Sequence, residues 1–456
     1  MKIKPADRLV VIGAGIAGLA AAAALAPFFK EVRLLERDEL PKRSAARKSV
    51  PQSYQVHGLL SGGFRAMAKL FPDVERDLEA LGAVRVDFSA DYRLEVSEQP
   101  WMQDRSHLIG YSMSRPLVEH ALRQRVLAIP NLVFEHRRVM GLACDRQSSR
   151  VLGVDVGIGG SSGRIPADFV IDASGRPNLG QELMKSLGFA EVPKSVVDFQ
   201  LSYATGNFAN ASIPEAFKAV MTYPINQGER RSGILAPMEE GLHKATLVCS
   251  GDLDAPTNEA EFRHQLNELR TSTIAEALTN AELVGEIERF NFPSSTWLHW
   301  EKAPRKPRRY LPVGDAHCRF NPVYGQGMSI AAIEAIVLQE LVHTTDLENL
   351  FDSYLHQISP TIGEIWKSAV ITQGREFLSD ENRAAAQYQH HLFQLASVNQ
   401  VIATTLLEVI HLTRPGSALA TAQIQELVNL QMKTAEKRRS AAQPTPPEAR
   451  ESDRFD

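Results

Sequence analysis

The sequence predicts an α/β fold in which a parallel βαβ layer is interleaved with a mostly antiparallel sheet and followed by C-terminal helices. Three observations predict it. The chain opens with an apolar strand, a glycine turn and an Ala-rich helix. Apolar and polar residues alternate over 84–111 and again in several stretches between 190 and 300. Beyond Asp346 the apolar spacing is helical.

The opening stretch comes first. Leu9-Val10-Val11-Ile12 runs into Gly13-Ala14-Gly15-Ile16-Ala17-Gly18 and then Leu19 to Leu25. A GxGxxG that follows a strand and opens a helix has the context its chemistry requires. Gly13 permits the sharp turn, Gly15 lets a pyrophosphate approach the backbone, and Gly18 lets the helix pack close to the strand. The helix start offers unpaired N–H groups and a positive dipole end to phosphates. A second strand, Val32 to Leu35, ends in Glu36, 18 residues past Gly18, where an acid accepts hydrogen bonds from a ribose. Strand, turn, helix, strand and acid in this order predict a bound dinucleotide.

Composition narrows the remaining classes. A chain of 456 residues with 44% hydrophobic content is long enough for two or three structural units with full cores. Fifty Lys and Arg against 54 Asp and Glu give a net charge of -4, which does not point to a nucleic-acid partner. Cys144, Cys249 and Cys318 are far apart, odd in number and without metal spacing, as expected of a reducing cytoplasm. The first eight residues carry no apolar signal region, and no apolar run reaches the ~18 residues of a membrane span.

The next elements follow in order. A basic loop from Arg37 to Lys48, continuing to His57, carries arginine and glutamine after the acidic strand end, so it is expected over the cofactor. Leu59 to Phe71 reads as a short amphipathic helix ending at Pro72. Val84–Phe88 and Tyr92–Val96 read as strands of the antiparallel sheet. Ser114 is placed as the N-cap of a helix with Pro116 in its first turn. Asn131–Cys144, Val151–Val156 and Arg164–Asp172 read as a three-stranded meander. Its last strand ends in Asp172-Ala173-Ser174-Gly175, like a return to the nucleotide-binding sheet. Between 190 and 300 the stretches Phe199–Asn207, Met221–Tyr223, Ser232–Pro237 and Lys244–Ser250 read as strands, and Glu259–Arg270 as a helix.

A second informative stretch begins at Tyr310. An apolar strand ends in Gly314-Asp315, and Asn321-Pro322-Val323-Tyr324-Gly325-Gln326-Gly327-Met328 then opens a helix to about His343. The free N–H groups of that start can face an electron-rich heteroaromatic edge. Leu392–Leu412 is densely apolar and is expected to pack on the core. A peripheral membrane contact is the less favoured reading because basic residues are scarce there. Residues 437–456 are charged and Pro-rich, as in a disordered tail.

The glycine fingerprint with Glu36, the Asp172 strand end and the Gly314–Met328 stretch stand in the order of the FAD-dependent monooxygenase superfamily with the p-hydroxybenzoate-hydroxylase fold, which this chain resembles over roughly residues 8–345. Within it, Arg47–His57, Asn321–Met328 and the apolar C-terminal helices most resemble the squalene-epoxidase-like branch, including bacterial olefin epoxidases of polyether pathways. The resemblance implies a Rossmann-like FAD-binding domain from 1–83, 112–185 and 301–345, and a substrate-binding domain from 84–111 and 186–300. A helical region over 346–436 follows.

It also implies residue roles. Gly13, Gly15 and Gly18 would hold the pyrophosphate, and Glu36 with the adjoining Arg37 the adenosine side. Arg47 and Arg115 would contact the phosphate or ribityl region, and Val139 would meet the adenine through its backbone. Asp172 joins this set at its strand end. Gly314 and Asp315 would bind the flavin chain, and Pro322 with Gly325, Gln326, Gly327 and Met328 would border the isoalloxazine.

The implied reaction is oxygenation, by epoxidation or hydroxylation, of a lipophilic small molecule of secondary metabolism. It would use FAD, O2 and NAD(P)H, the last acting directly or through a flavin reductase. Reduction of a prenyl or polyene chain and halogenation are the alternatives on this fold, and the four tryptophans show no Trp-x-Trp-x-Ile arrangement for the latter. No residue is singled out as a catalytic base and no metal site is expected. His57, His317 and Tyr324 are the nearest polar candidates.

Overall fold

The computed structural model describes residues 6–47, 50–158, 161–175, 178–225, 229–373 and 380–442. Ser49, in the loop after the second strand, lies outside them.

Five parallel strands form the first layer, in the order Tyr310–Pro312, Phe169–Asp172, Ala6–Ile12, Phe29–Glu36 and Leu132–His136. The first strand lies at the centre, with Val11 between Leu34 and Ile171. Leu9, Val10 and Val11 are fully buried, which explains a continuous apolar run in place of alternation. The helix Ile16–Leu25 covers this sheet with small residues, Ala20, Ala21, Ala22 and Ala24 all being buried.

The second sheet has seven strands, in the order Cys318–Arg319, Glu282–Leu298, Lys194–Ala209, His243–Ser250, Arg231–Pro237, Ala219–Thr222 and Tyr92–Glu95. It is antiparallel except where Ala219–Thr222 meets Tyr92–Glu95 in parallel. The 16-residue strand Lys194–Ala209 and the 17-residue strand Glu282–Leu298 are its spine.

Several details differ from the sequence reading, among them the stretch 164–172, which is divided between Ser161–Pro166 in the meander and Phe169–Asp172 in the parallel sheet. The stretch 131–144 is two strands. Leu132–His136 closes the parallel sheet, and Arg138–Asp145 starts the meander with Arg150–Ile158 and Ser161–Pro166. The chain changes sheets at Arg137, whose N–H donates to Glu36 O at 2.8 Å. Within 84–111, only Tyr92–Glu95 joins the large sheet, while Val84–Asp87 pairs with Ile109–Ser112 as a separate ribbon. The last helix, Ala422–Ala442, runs past residue 437, because Ala, Glu, Lys and Arg continue to favour helix there.

The stretch 392–412 is divided between two helices, Asp380–Ala396 and Gln400–Ile410. Asn399 restarts the chain, its side chain accepting from Ile402 N at 3.2 Å. Leu392, Leu395, Ile402, Leu406 and Leu407 are buried with Val86, Phe88 and Trp101, so this region packs on the rest of the protein. No helix among the described residues is long and apolar enough to cross a membrane.

Candidate active site

Four adjacent parallel strands end at one cavity. Gly13, Glu36, Ala173 and Gly314 follow or close those strands, and all line it. This is where open α/β sheets bind ligands. The cavity measures about 1820 Å³, beyond the roughly 300–1,000 Å³ of a site for one small ligand. It has room for a dinucleotide and a substrate together.

The backbone shapes one wall. Gly13 has φ +96°, and a Cβ there would stand 2.4 Å from Ala173 O. A Cβ on Gly18 would lie 1.8 Å from Gly13 O, so Gly18 serves the packing of helix on turn and does not line the cavity. Gly15 does line it, and the nearest atom to a Cβ there would be Arg47 Nη2 at 4.0 Å. Gly15 and Gly325 are the N-caps of the helices Ile16–Leu25 and Gln326–Leu341, and neither first turn carries an acid. Ser114 and Asn258, by contrast, cap their helices with side-chain oxygens. The two glycine-capped starts therefore present N–H groups and a positive dipole end to the same cavity. Gly327 also lines it, with nothing within 4 Å of a Cβ position.

Charge is concentrated behind the first turn. Glu36 Oε2 accepts from Ala14 N at 2.8 Å and from Arg47 Nη1 at 3.0 Å, and Oε1 accepts from Asp38 N at 3.0 Å. Arg47 Nη2 reaches Glu119 Oε2 at 3.0 Å, and Arg115 Nε reaches Glu119 Oε1 at 2.8 Å. Burial works against the Arg47 charge, but Glu119 and Glu36 outweigh it and raise the guanidinium above its ordinary value. Burial likewise opposes the Glu119 charge, yet Arg115 and Arg47 hold that carboxyl below the usual range. Glu119 was not singled out from the sequence, although its spacing of four from Arg115 on a helix was a readable sign.

Arg37 and Val139 also line the cavity. Gly314, at φ +59°, is held by its N–H donating to Glu334 Oε2 at 2.8 Å. Glu334 is 1% exposed and also accepts from Tyr354 Oη at 2.7 Å. An acid alone in the apolar run from Ile330 to Leu338 was the sign that could have marked it. Burial pushes the Asp315 carboxyl up, against Arg115 and Arg319, which pull it down. Pro322, Gly325, Gln326, Gly327 and Met328 all line the cavity.

Asp172 is placed differently. Its carboxylate accepts from Ser174 N at 3.0 Å and from Tyr310 Oη at 2.7 Å, and it is 1% exposed and absent from the cavity wall. Its partners make it a clamp on the strand end. Of the three polar candidates, His57 and Tyr324 line the cavity and His317 lies buried beneath the Gly314 turn, 3.8 Å from Glu334. Burial above all, then Arg115, pushes His57 down to about 3, so its ring is neutral near pH 7.

The second wall is built from side chains. Leu201, Tyr203, Val248, Phe290 and Phe292 share one face of the seven-stranded sheet, since the register sets Leu201 beside Phe292 and Tyr203 between Phe290 and Val248. Phe88, Trp101, Leu392, Phe393, Leu406 and Ile410 continue it toward the C-terminal helices. These apolar groups come from strands and helices far apart in the chain.

The glycine cradle, the open amides and the buried Arg47–Glu36–Glu119 set fit FAD. A model of the FAD binding domain matches residues 7–365. A Mycobacterium tuberculosis protein, Rv3254, is 32% identical over 73% of this chain and 72% of its own length. Squalene epoxidase 3 of Arabidopsis thaliana is 23% identical over 75% of this chain and 61% of its own length. Kynurenine 3-monooxygenase of Salinispora tropica is 25% identical over 73% of this chain and 72% of its own length. Among solved structures, a triple mutant of the flavin-dependent brominase Bmp2 superposes with a TM-score of 0.66 at 14% identity, covering 94% of this chain and 99% of that one. At that identity the likeness shows the fold alone.

Proposed function

We infer function from the premise that this chain belongs to the FAD binding domain family and is an FAD-dependent oxidoreductase of the monooxygenase type. On that premise we propose that it epoxidises or hydroxylates a lipophilic small molecule of secondary metabolism, with O2 as co-substrate. NAD(P)H would supply the electrons, directly or through a flavin reductase. The observation that carries the reading is the single cavity with two unlike walls, one of open backbone amides and one of aromatic and aliphatic side chains.

In this reading Gly13 and Gly15 receive the pyrophosphate, with Gly18 keeping the helix close enough to reach it. Glu36 accepts from the adenosine ribose, Arg37 flanks it, and the Val139 backbone meets the adenine. Arg47 and Arg115 face the phosphate and ribityl region, and Asp315, held by the Gly314 turn, accepts from the ribityl chain. Pro322 and the Gly325–Met328 backbone would border the isoalloxazine, where the N–H groups of the helix start would offset negative charge on the ring. When bound, FAD stores two electrons and activates O2. The apolar wall orients the substrate and excludes water. No side chain is required as a general base, and His57, with its value near 3, is poorly suited to that task.

Purified protein should show a flavin spectrum. With NADPH, with or without an added reductase, it should consume O2 in step with substrate oxidation. Substrate turnover without O2 consumption would replace this reading with that of a chain reductase. A colourless protein that cannot be reconstituted with FAD would remove it.

A further inference from the structure

One cation on the cavity wall has no anion. Arg47, Arg115, Arg137 and Arg319 line the cavity without being exposed. Arg47 pairs with Glu36 and Glu119, Arg115 with Glu119, and Arg137 with Glu135. Arg319 makes no ion pair among the described residues, and its contacts are the Ser294 carbonyl and the Phe292 ring. Asp315 is near enough for Arg319 to pull its carboxyl down, but burial is the larger effect and pushes that carboxyl up. Asp198, opposite Ser294 in the sheet register, is exposed and makes no ion pair with Arg319.

The guanidinium is held in place from one side. Arg319 ends the short edge strand, beside Thr296 of Glu282–Leu298. Its Nη2 donates to Ser294 O at 2.7 Å, and its Cζ lies 5.2 Å from the centre of the Phe292 ring. Both contacts come from the long strand that carries the side-chain wall, so the cation belongs to that wall. Phe292 is buried in one cluster with Leu201, Tyr203 and Val248. Arg319 Nη1 has no acceptor among the described residues and, unlike Nε, is not shut off from solvent. A guanidinium does not shed its charge by losing a proton. A half-buried charge is costly until it is paired. With no carboxylate of the chain in ion-pair contact, the counter-charge is left to whatever enters the cavity.

We propose that Arg319 binds a carboxylate of the substrate, and that the substrate is therefore a lipophilic acid, its apolar body against the Phe292 cluster and its anionic end on Arg319 Nη1. The proposal rests on the lipophilic-substrate reading and narrows it. Charge-assisted bonds of this kind are about twice as strong as neutral ones, and the Ser294 contact fixes the planar group before the ligand arrives.

The test uses oxidised FAD-loaded protein without an electron donor, at about pH 7, where a carboxylic acid is ionised. Calorimetric titration with octanoate and with 1-octanol gives two affinities. The quantity compared is the octanoate-to-octanol ratio of each variant relative to the unmodified protein, so that the unequal solubilities of the probes cancel. Arg319→Met should lower that ratio by roughly tenfold to a hundredfold, the range of one hydrogen bond to a charged group. It should keep the FAD content of the unmodified protein. Arg319→Gln, a second neutral variant, is judged by the same ratio and stands in should Arg319→Met not fold. Arg319→Lys keeps the charge and should lower the ratio by less. An unchanged ratio in the neutral variants would show that solvent and Asp315 already satisfy the cation, and would overturn the proposal. A fall as large in Arg319→Lys as in Arg319→Met would trace the effect to lost packing on Phe292 and overturn it as well. Loss of FAD from the neutral variants would assign the cation to the cofactor, with the same consequence. In each of these cases octanol binding leaves the lipophilic reading standing. Failure of both probes to bind the unmodified protein would overturn that reading, and the anion site with it.

Discussion

On one side of the cavity the contacts are offered by backbone, and on the other by side chains. The backbone side is compact in sequence: Gly13, Gly15 and Gly18 lie within six residues, and their spacing is dictated by one turn and one helix. The side-chain side draws Gln55, Tyr203, Phe290 and Phe393 from four distant segments. A backbone wall is specified by what must be absent, since a Cβ on Gly13 would overlap the Ala173 carbonyl. A side-chain wall is specified by what is present, and each member can be exchanged for another of similar volume. The first plan suits a fixed cofactor and the second suits a substrate that differs between relatives.

The comparison can be broken most forcefully at Arg47. Arg47→Met leaves Glu36 and Glu119 buried without their shared cation, and such losses cost about 3–5 kcal/mol. Urea unfolding should report a loss of that order together with weaker FAD retention. A shift under 1 kcal/mol would mean that the two carboxylates have other compensation.

Gly18→Ala should cost about 3 kcal/mol, the upper range for overpacking, because the obstructing atom is a backbone oxygen. FAD affinity, measured by flavin fluorescence, should fall with it. If the packing behind the glycine wall tolerated this methyl group, the distinction between the two walls would be false.

The smallest effect sharpens the comparison at the C-terminal helices. His411 is buried against Phe88, its Nδ1 accepts from Ser61 N at 3.2 Å, and burial pushes its pKa down to about 3. The unfolded chain, with an ordinary value near 6.5, binds more protons between about pH 3 and 6.5. Stability is therefore complete above pH 6.5 and is lost as the pH falls, by up to about 1.4 kcal/mol per pH unit from this one ring. Denaturant midpoints from pH 7 to pH 5 should show a shallower slope in His411→Gln than in the unmodified protein. Equal slopes would mean that the ring is not held neutral.

How far the sequence could be read follows the same division. The strand–turn–helix and its acid are local patterns, so their place at one cavity mouth was legible. The position of Asp172 was not. A strand-end Asp reads identically whether its carboxylate faces a ligand or a neighbouring strand, and here Tyr310, 138 residues away, decides. The stretch 131–144 looked like one strand because its composition does not mark where the chain passes from one sheet to another. Gln55 could be read only as part of a loop expected over the cofactor, since the orientation of its amide depends on Thr205 and Thr246 in paired strands.

The carboxylate of Glu334 spans more of the chain than its helix does. It accepts a hydrogen bond from the Gly314 amide on one oxygen and from the Tyr354 phenol on the other. Anyone shortening this protein from its C-terminal end must therefore cut beyond Tyr354. A cut before it leaves the Gly314 turn hanging from a half-satisfied acid in a dry interior, and loosens the cavity wall at that turn.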